Sequence, residues 1–216
     1  MVELIFNREI FEITLLSLRV SGTAVLIAAC IGIPAGTLIA LNEFPGKNFL
    51  RTIINTLMGL PPVLVGLLVV LLFSRSGPFG QAGILFTPTA MIIAQLILTL
   101  PIVTGITTSA IASVDERIRD TSLSLGADSN QCTIMIFKEA KLGIMASVIA
   151  AFGAAISEVG AVILAGGNIR FKSRVLTTAI VEETGRGNFG PAMSLGIILL
   201  TIAFIVNLLL TYLQRR

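Results

Sequence analysis

Two ionisable residues stand inside otherwise apolar sequence: Arg19 in LLSLRVSGTAVLIAA and Glu158 in AAFGAAISEVGAVILAG. A charge in such a setting is expensive, so each group needs a partner or a task. Little else in the chain could do chemistry. There is no histidine, and the two cysteines read as free thiols, Cys30 in an apolar segment and Cys132 in a polar one. A zinc site and a histidine base are thereby excluded, and no catalytic residue, metal or cofactor is expected. No Gly-x-x-x-x-Gly-Lys-Ser/Thr cradle for phosphates occurs, so any ATP would be bound by another chain.

The polar residues that remain concentrate in two places. One is RIRDTSLSLGADSNQCTIMIFKEAKLG, Arg117 to Gly143, which makes up most of a polar region set at 113–142. Ser113-Val-Asp-Glu116 fits a capping box that opens a helix, Gly126 fits a left-handed cap that closes it, and Asp128-Ser-Asn-Gln131 fits a second capping box. The stretch therefore reads as two short helices joined at Gly126. A solvated loop is the plain alternative, though it would not need the apolar run Ile134 to Phe137. The other place is 166–190, where Arg170, Lys172 and Arg174 precede a short interfacial helix in SRVLTTAIVEE. These cations suit attraction of anions or, equally, anchoring to lipid head groups.

The elements that position these residues follow from composition. Of 216 residues, 55% are hydrophobic and 12% are charged, about half the charge of an ordinary soluble domain. Mean hydropathy is +0.96. The chain reads as an all-α integral membrane protein, one transmembrane domain over 1–216, with no nucleic-acid surface and no cleaved signal peptide. Five stretches reach the roughly 20 residues a bilayer core requires: Ile13–Leu41, Thr52–Phe73, Ile84–Ala112, Leu142–Ala165 and Pro191–Leu213. Pro61 and Pro62 are expected to kink the second, and Pro101 the third. Small residues recur every four positions in the fourth, Gly153, Ser157, Ala161 and Ala165, which favours close helix approach.

Five spans place the termini on opposite sides. With the N-terminus outside, the inner side carries Lys47, Arg51, Arg117, Arg119, Lys138, Lys141, Arg215 and Arg216, against six cations outside. That weak excess and the ending QRR predict an external N-terminus and a cytoplasmic C-terminus. Arg19 then lies about 9 Å into the first span and Glu158 about 24 Å along the fourth, at 1.5 Å per residue. The depths match, which predicts an Arg19–Glu158 ion pair, either structural or part of a gate.

The polar stretch resembles the cytoplasmic signature of membrane-spanning permease subunits of binding-protein-dependent ABC importers. That signature runs Glu-Ala-Ala, three residues, Gly, nine residues, Ile, one residue, Leu-Pro. Here Asp120-Thr121-Ser122, Gly126 and Ile136 occupy it, and Lys138-Glu139 stand where the family has Leu-Pro. LPPVLVGLL resembles the second helix of molybdate-type permeases, and ISEVGA their Ser/Gly-Glu-Phe-Gly-Ala element, with Val159 in place of the aromatic. AGGNI followed by SRVLTTAIVEET is most similar to tungstate permeases, with molybdate and sulfate left open.

The resemblance implies a type I ABC importer-like fold in the cytoplasmic membrane. It implies a homodimer forming the path, two ATPase subunits below it, an outer substrate-binding protein, and a coupling helix contacting the ATPase through Asp120, Thr121, Ser122, Gly126, Ala127 and Ile136. Candidates for the path or gate are Pro61, Pro62, Arg19, Ser157, Glu158 and Gly160. Arg170, Lys172 and Arg174 would attract the anion. An ATP-independent channel or secondary anion transporter is the alternative, with a non-transporting scaffold as a third. A secondary transporter should show several acids within its spans and often a repeat. Glu158 is the only acid well inside one, and no repeat is found.

Overall fold

A computed structural model describes residues 8–214, all helix, turn and loop, with no strand among them. Ten α-helices follow in order: α1 Arg8–Leu41, α2 Lys47–Met58, α3 Pro62–Phe73, α4 Pro88–Ala112, α5 Glu116–Ser124, α6 Ser129–Glu139, α7 Lys141–Ile156, α8 Gly160–Gly166, α9 Leu176–Gly185 and α10 Phe189–Gln214. By length and apolarity α1, α4 and α10 can each cross a membrane. The count rises to five when each of two bent pairs, α2 with α3 and α6 with α7, is taken as one span.

The fold is built around α4. Its faces meet α1, α2, α7 and α8, and its hydroxyls serve its own backbone: Thr99 Oγ1 donates to the Gln95 carbonyl at 2.8 Å, Thr104 to Leu100 at 2.8 Å and Thr108 to Thr104 at 2.7 Å. Those bonds let polar side chains sit inside without an unmade hydrogen bond. Pro101 is buried within an unbroken α4 and does not interrupt it. Across the central crossing, α1 presents Gly32 and Gly36. A Cβ on Gly36 would lie 2.7 Å from the Thr104 carbonyl oxygen, so only hydrogen fits there. Val25, Ala28, Val103, Ala151, Phe152 and Ile156 fill the core where α1, α4 and α7 meet.

Two of the expected spans are broken rather than kinked. The second ends as α2 at Met58, turns by 95° and restarts as α3. Pro62 is the first residue of α3 and Pro61 its extended cap, with φ −62°. Prolines in these positions start a helix, because the missing N–H would have had no intrahelical acceptor. The fourth stops at Ile156 and restarts at Gly160. The junction of α6 with α7 is a 59° bend at Ala140, so the chain does not run from Lys138-Glu139 into α7 as one unbroken helix.

Candidate functional site

Just past α4, α5 opens on Asp115, whose Oδ1 accepts the Arg117 N–H at 2.9 Å. The cap is thus Asp115 and not Ser113, which instead ends α4 and donates its hydroxyl to the Ala110 carbonyl at 2.8 Å. At the junction Gly126 has φ +85°. Its N–H reaches the Leu123 carbonyl, and the Ala127 N–H reaches the Ser122 carbonyl, both at 3.0 Å. This pair of bonds around a left-handed residue satisfies the last carbonyls of α5. The capping box of α6 is complete: the Gln131 N–H donates to Asp128 Oδ1 at 2.7 Å and the Asp128 N–H to Gln131 Oε1 at 3.0 Å.

The apolar run Ile134 to Phe137 divides by helical phase. Ile136 is buried with Cys132, Ala140, Ile111 and Ile144, which ties α6 to the ends of α4 and α7. Ile134, Met135 and Phe137 face outward, as do Leu123 and, at 83% exposure, Leu125. Of the six signature positions, Ser122 and Ile136 point inward, Asp120, Thr121 and Gly126 are exposed, and Ala127 is half-buried. The exposed leucines were missed in the sequence because signature matching attends to the invariant positions; their i, i+2 placement flanking a helix end was the available signal.

The broken helices meet deeper in the molecule. Gly66 of α3 lies against α8, where a Cβ would come 2.9 Å from Ala161 Cα, and Gly160 lies against Val63. In the gap between α7 and α8, Ser157 Oγ turns back to the Gly153 carbonyl at 2.8 Å. Glu158 Oε1 accepts the Ala161 N–H at 2.9 Å, so the carboxylate caps the restart of the chain. The predicted Arg19–Glu158 pair is not made. Arg19 lies on the exposed face of α1, and Glu158 is half-buried between α3, α4 and α7. Matching depth put the two at one level, but helical phase put them on different faces.

Glu158 lines a cavity of about 120 Å³ with Met58, Pro62, Gln95 and Thr99. Gln95 is 3% exposed; its Nε2 donates to the Ala155 carbonyl at 2.8 Å, while its Oε1 has no partner. Along the same α2–α4 groove, nearer the start of α5, lies a cavity of about 400 Å³ lined by Arg51, Asn55, Gly105, Thr108, Ser109 and Ser113. It holds one cation, several hydroxyls and no carboxylate. Met58, on the wall of the first space, packs so closely on Gly105, on the wall of the second, that a Cβ there would lie 2.6 Å from its sulfur. Arg51, Asn55, Gln95 and Met58 were not singled out from the sequence, since none matches a motif.

The three cations of the 167–175 loop differ. Arg170 grips Glu9 through two nitrogens, Nε at 2.8 Å. That hydrogen-bonded carboxylate raises the pKa of Arg170 above its ordinary value. Arg174 reaches Glu182 at 2.5 Å and Glu9 at 3.7 Å. Lys172 has no ion pair among the described residues. Arg170 and Arg174 are therefore half of a network that fastens the 167–175 loop to α1 and α9.

The family model for the inner membrane component of binding-protein-dependent transport systems matches residues 32–216. The chain belongs to that family. As such a component it is a multi-pass inner membrane protein with a permease fold. A probable anion ABC transporter permease of Haloferax volcanii is 43% identical over 203 residues, 92% of this chain and 88% of that protein. The tungstate uptake system permease TupB of Peptoclostridium acidaminophilum is 40% identical over 209 residues, 97% and 92% of the two chains. In three dimensions the component superposes on an inward-facing MetNI methionine ABC transporter chain with a TM-score of 0.76, covering 96% and 94%, at 16% identity.

Proposed function

We propose that two copies of this chain form the path of an ATP-binding-cassette importer for tungstate or a closely related oxyanion. Hydrolysis belongs to a separate pair of ATPase subunits, and an outer binding protein delivers the ion. The span count supports a first end outside and a last end in the cytoplasm; Arg215 and Arg216, which contribute to that expectation, lie outside the described residues. The substrate class is supported by the relatives at 40% and 43% identity over nearly the whole chain. The coupling role rests on one observation: a doubly capped helix pair whose inner side is buried against α4 and α7 while Leu123, Leu125, Ile134 and Met135 remain uncovered.

The mechanism follows from that attachment. An ATPase groove closes on the exposed apolar side of α5 and α6. Ile136, wedged among Ile111, Ala140 and Ile144, passes the displacement to α4 and α7. Those two helices form walls of the Gln95–Glu158 cavity, and α4 also forms one wall of the Arg51 cavity. Moving them against α2 shifts Met58 from Gly105 and joins the two spaces. Arg51 and its neighbouring hydroxyls then offer an oxyanion donors without a carboxylate to repel it. Arg170 and Arg174 act chiefly as loop fasteners, which leaves Lys172 as the one of the three without an ion pair among the described residues.

Co-purification and uptake test this reading. The chain in mild detergent is expected to bring down an ATPase subunit, and the reconstituted complex to take up labelled tungstate with ATP. Uptake that persists without ATPase or ATP would overturn it. Competition by molybdate and sulfate ranks the three ions.

A further inference from the structure

Arg19 lies on the exposed side of α1. Toward the start of the helix that side carries the Arg8–Glu12 pair, and beside Arg19 it carries Leu15 and Leu26, at 55% and 68% exposure. Arg19 has no ion pair among the described residues, so its charge is left uncompensated within a span. A lone arginine costs about 3 kcal/mol at the centre of a bilayer on insertion scales and less at the depth of Arg19, about 9 Å in, where a counter-anion is still favoured. The chain shows where that anion fits. A cavity of about 230 Å³ between α1 and the 167–175 loop has Arg19 and Lys172 on its wall together with Leu15, Leu16 and Phe171. Its carboxylates are already engaged: Glu9 binds Arg170 and Arg174, and Glu12 binds Arg8 at 3.0 Å. Arg174, the third cation on the wall, is bound to Glu182.

We propose that this cavity holds the phosphate head group of an anionic phospholipid. Arg19 and Lys172 contact the phosphate, and the acyl chains lie along the exposed stripe of α1. A free hydrated oxyanion gains nothing from the apolar walls, whereas a lipid uses both the charges and the stripe. Basic pockets at the ends of spans recognise lipid head groups in this way. The site does not depend on which ion the permease carries.

The test uses the full-length chain in a non-ionic detergent, with phosphatidylglycerol and phosphatidylcholine of identical acyl chains as probes. Native mass spectrometry is expected to retain one phosphatidylglycerol per chain in preference to phosphatidylcholine. Arg19→Gln and Lys172→Gln should each weaken that retention roughly fivefold, the scale of one basic residue beside an anionic lipid. Arg19→Lys should keep most of it, and Arg75→Gln, in the α3–α4 loop, should change nothing. Should Arg19→Gln fail to fold, Lys172→Gln carries the test, because its side chain is exposed. Equal retention of the two lipids, or unchanged retention in both glutamine variants, overturns the proposal. Displacement of the lipid by millimolar tungstate also overturns it, and makes the cavity an entry site for the transported ion.

Discussion

Gly126 is held at φ +85° with nothing within 4 Å of where a Cβ would be, so its requirement is conformational rather than spatial. A left-handed L-residue costs about 1–2 kcal/mol, more when β-branched, while asparagine tolerates the region. Gly126→Val is expected to loosen the α5–α6 junction, lowering tungstate uptake per ATP hydrolysed, and Gly126→Asn to retain most coupling. Paired ATPase and uptake assays on reconstituted complexes read the ratio. Glu158 caps the restart of the fourth span. Replacing a capping acceptor by alanine costs roughly 1 kcal/mol, so Glu158→Ala should lower thermal stability, and Glu158→Gln, which keeps an acceptor oxygen, should lower it less. Because Arg19 and Glu158 are unpaired, Arg19→Leu combined with Glu158→Gln should be additive within about 0.5 kcal/mol. A larger coupling in that cycle would restore the ion pair.

Among the elements, the α1–α4 crossing and the α2–α3 corner carry the tightest constraints. Gly36→Val would drive a methyl group into the Thr104 carbonyl; overpacking of this kind costs about 1–3 kcal/mol, and a lower unfolding temperature in detergent is the expected result. The turn from α1 into α2 is fastened by Lys47. Its Nζ donates to the Ala40 carbonyl at 3.2 Å and to Glu43 Oε1 at 2.7 Å, which caps the C-terminal end of α1 with a cation. The caps around Gly126 were legible beforehand because each is a contact between residues two to five apart. The breaks were not. Pro61-Pro62 predict an interruption, but whether the helix kinks or turns by 95° depends on what α3 packs against, and that is α8, about a hundred residues later.

For the whole molecule, the exposed leucines at the coupling end set the test of assembly. Leu123→Asp with Leu125→Asp touches no buried cluster, so the chain should still express and remain monodisperse. Recovery of the ATPase subunit in the same purification should fall at least tenfold. An unchanged yield would place the docking surface elsewhere. Gly105→Leu, whose side chain would press against Met58 and into the wall of the Arg51 cavity, should block uptake while leaving ATPase binding intact, because the α2–α4 groove and the α5–α6 pair are separate parts of the fold.

Composition and local spacing alone determined that this is a helical membrane protein, where its apolar stretches lie, and how the polar stretch is capped and hinged. These depend on hydrophobic length and on hydrogen bonds a few residues long. Tertiary structure alone decided which partners the charges take. Arg170 and Arg174 found Glu9 and Glu182, separated from them by between 8 and 165 positions, and Arg19 found none. Depth along a helix is additive in sequence at about 1.5 Å per residue. The direction a side chain faces also depends on breaks and bends, and the interruption at Ser157–Val159 turned Glu158 toward Gln95 and the backbone of α8.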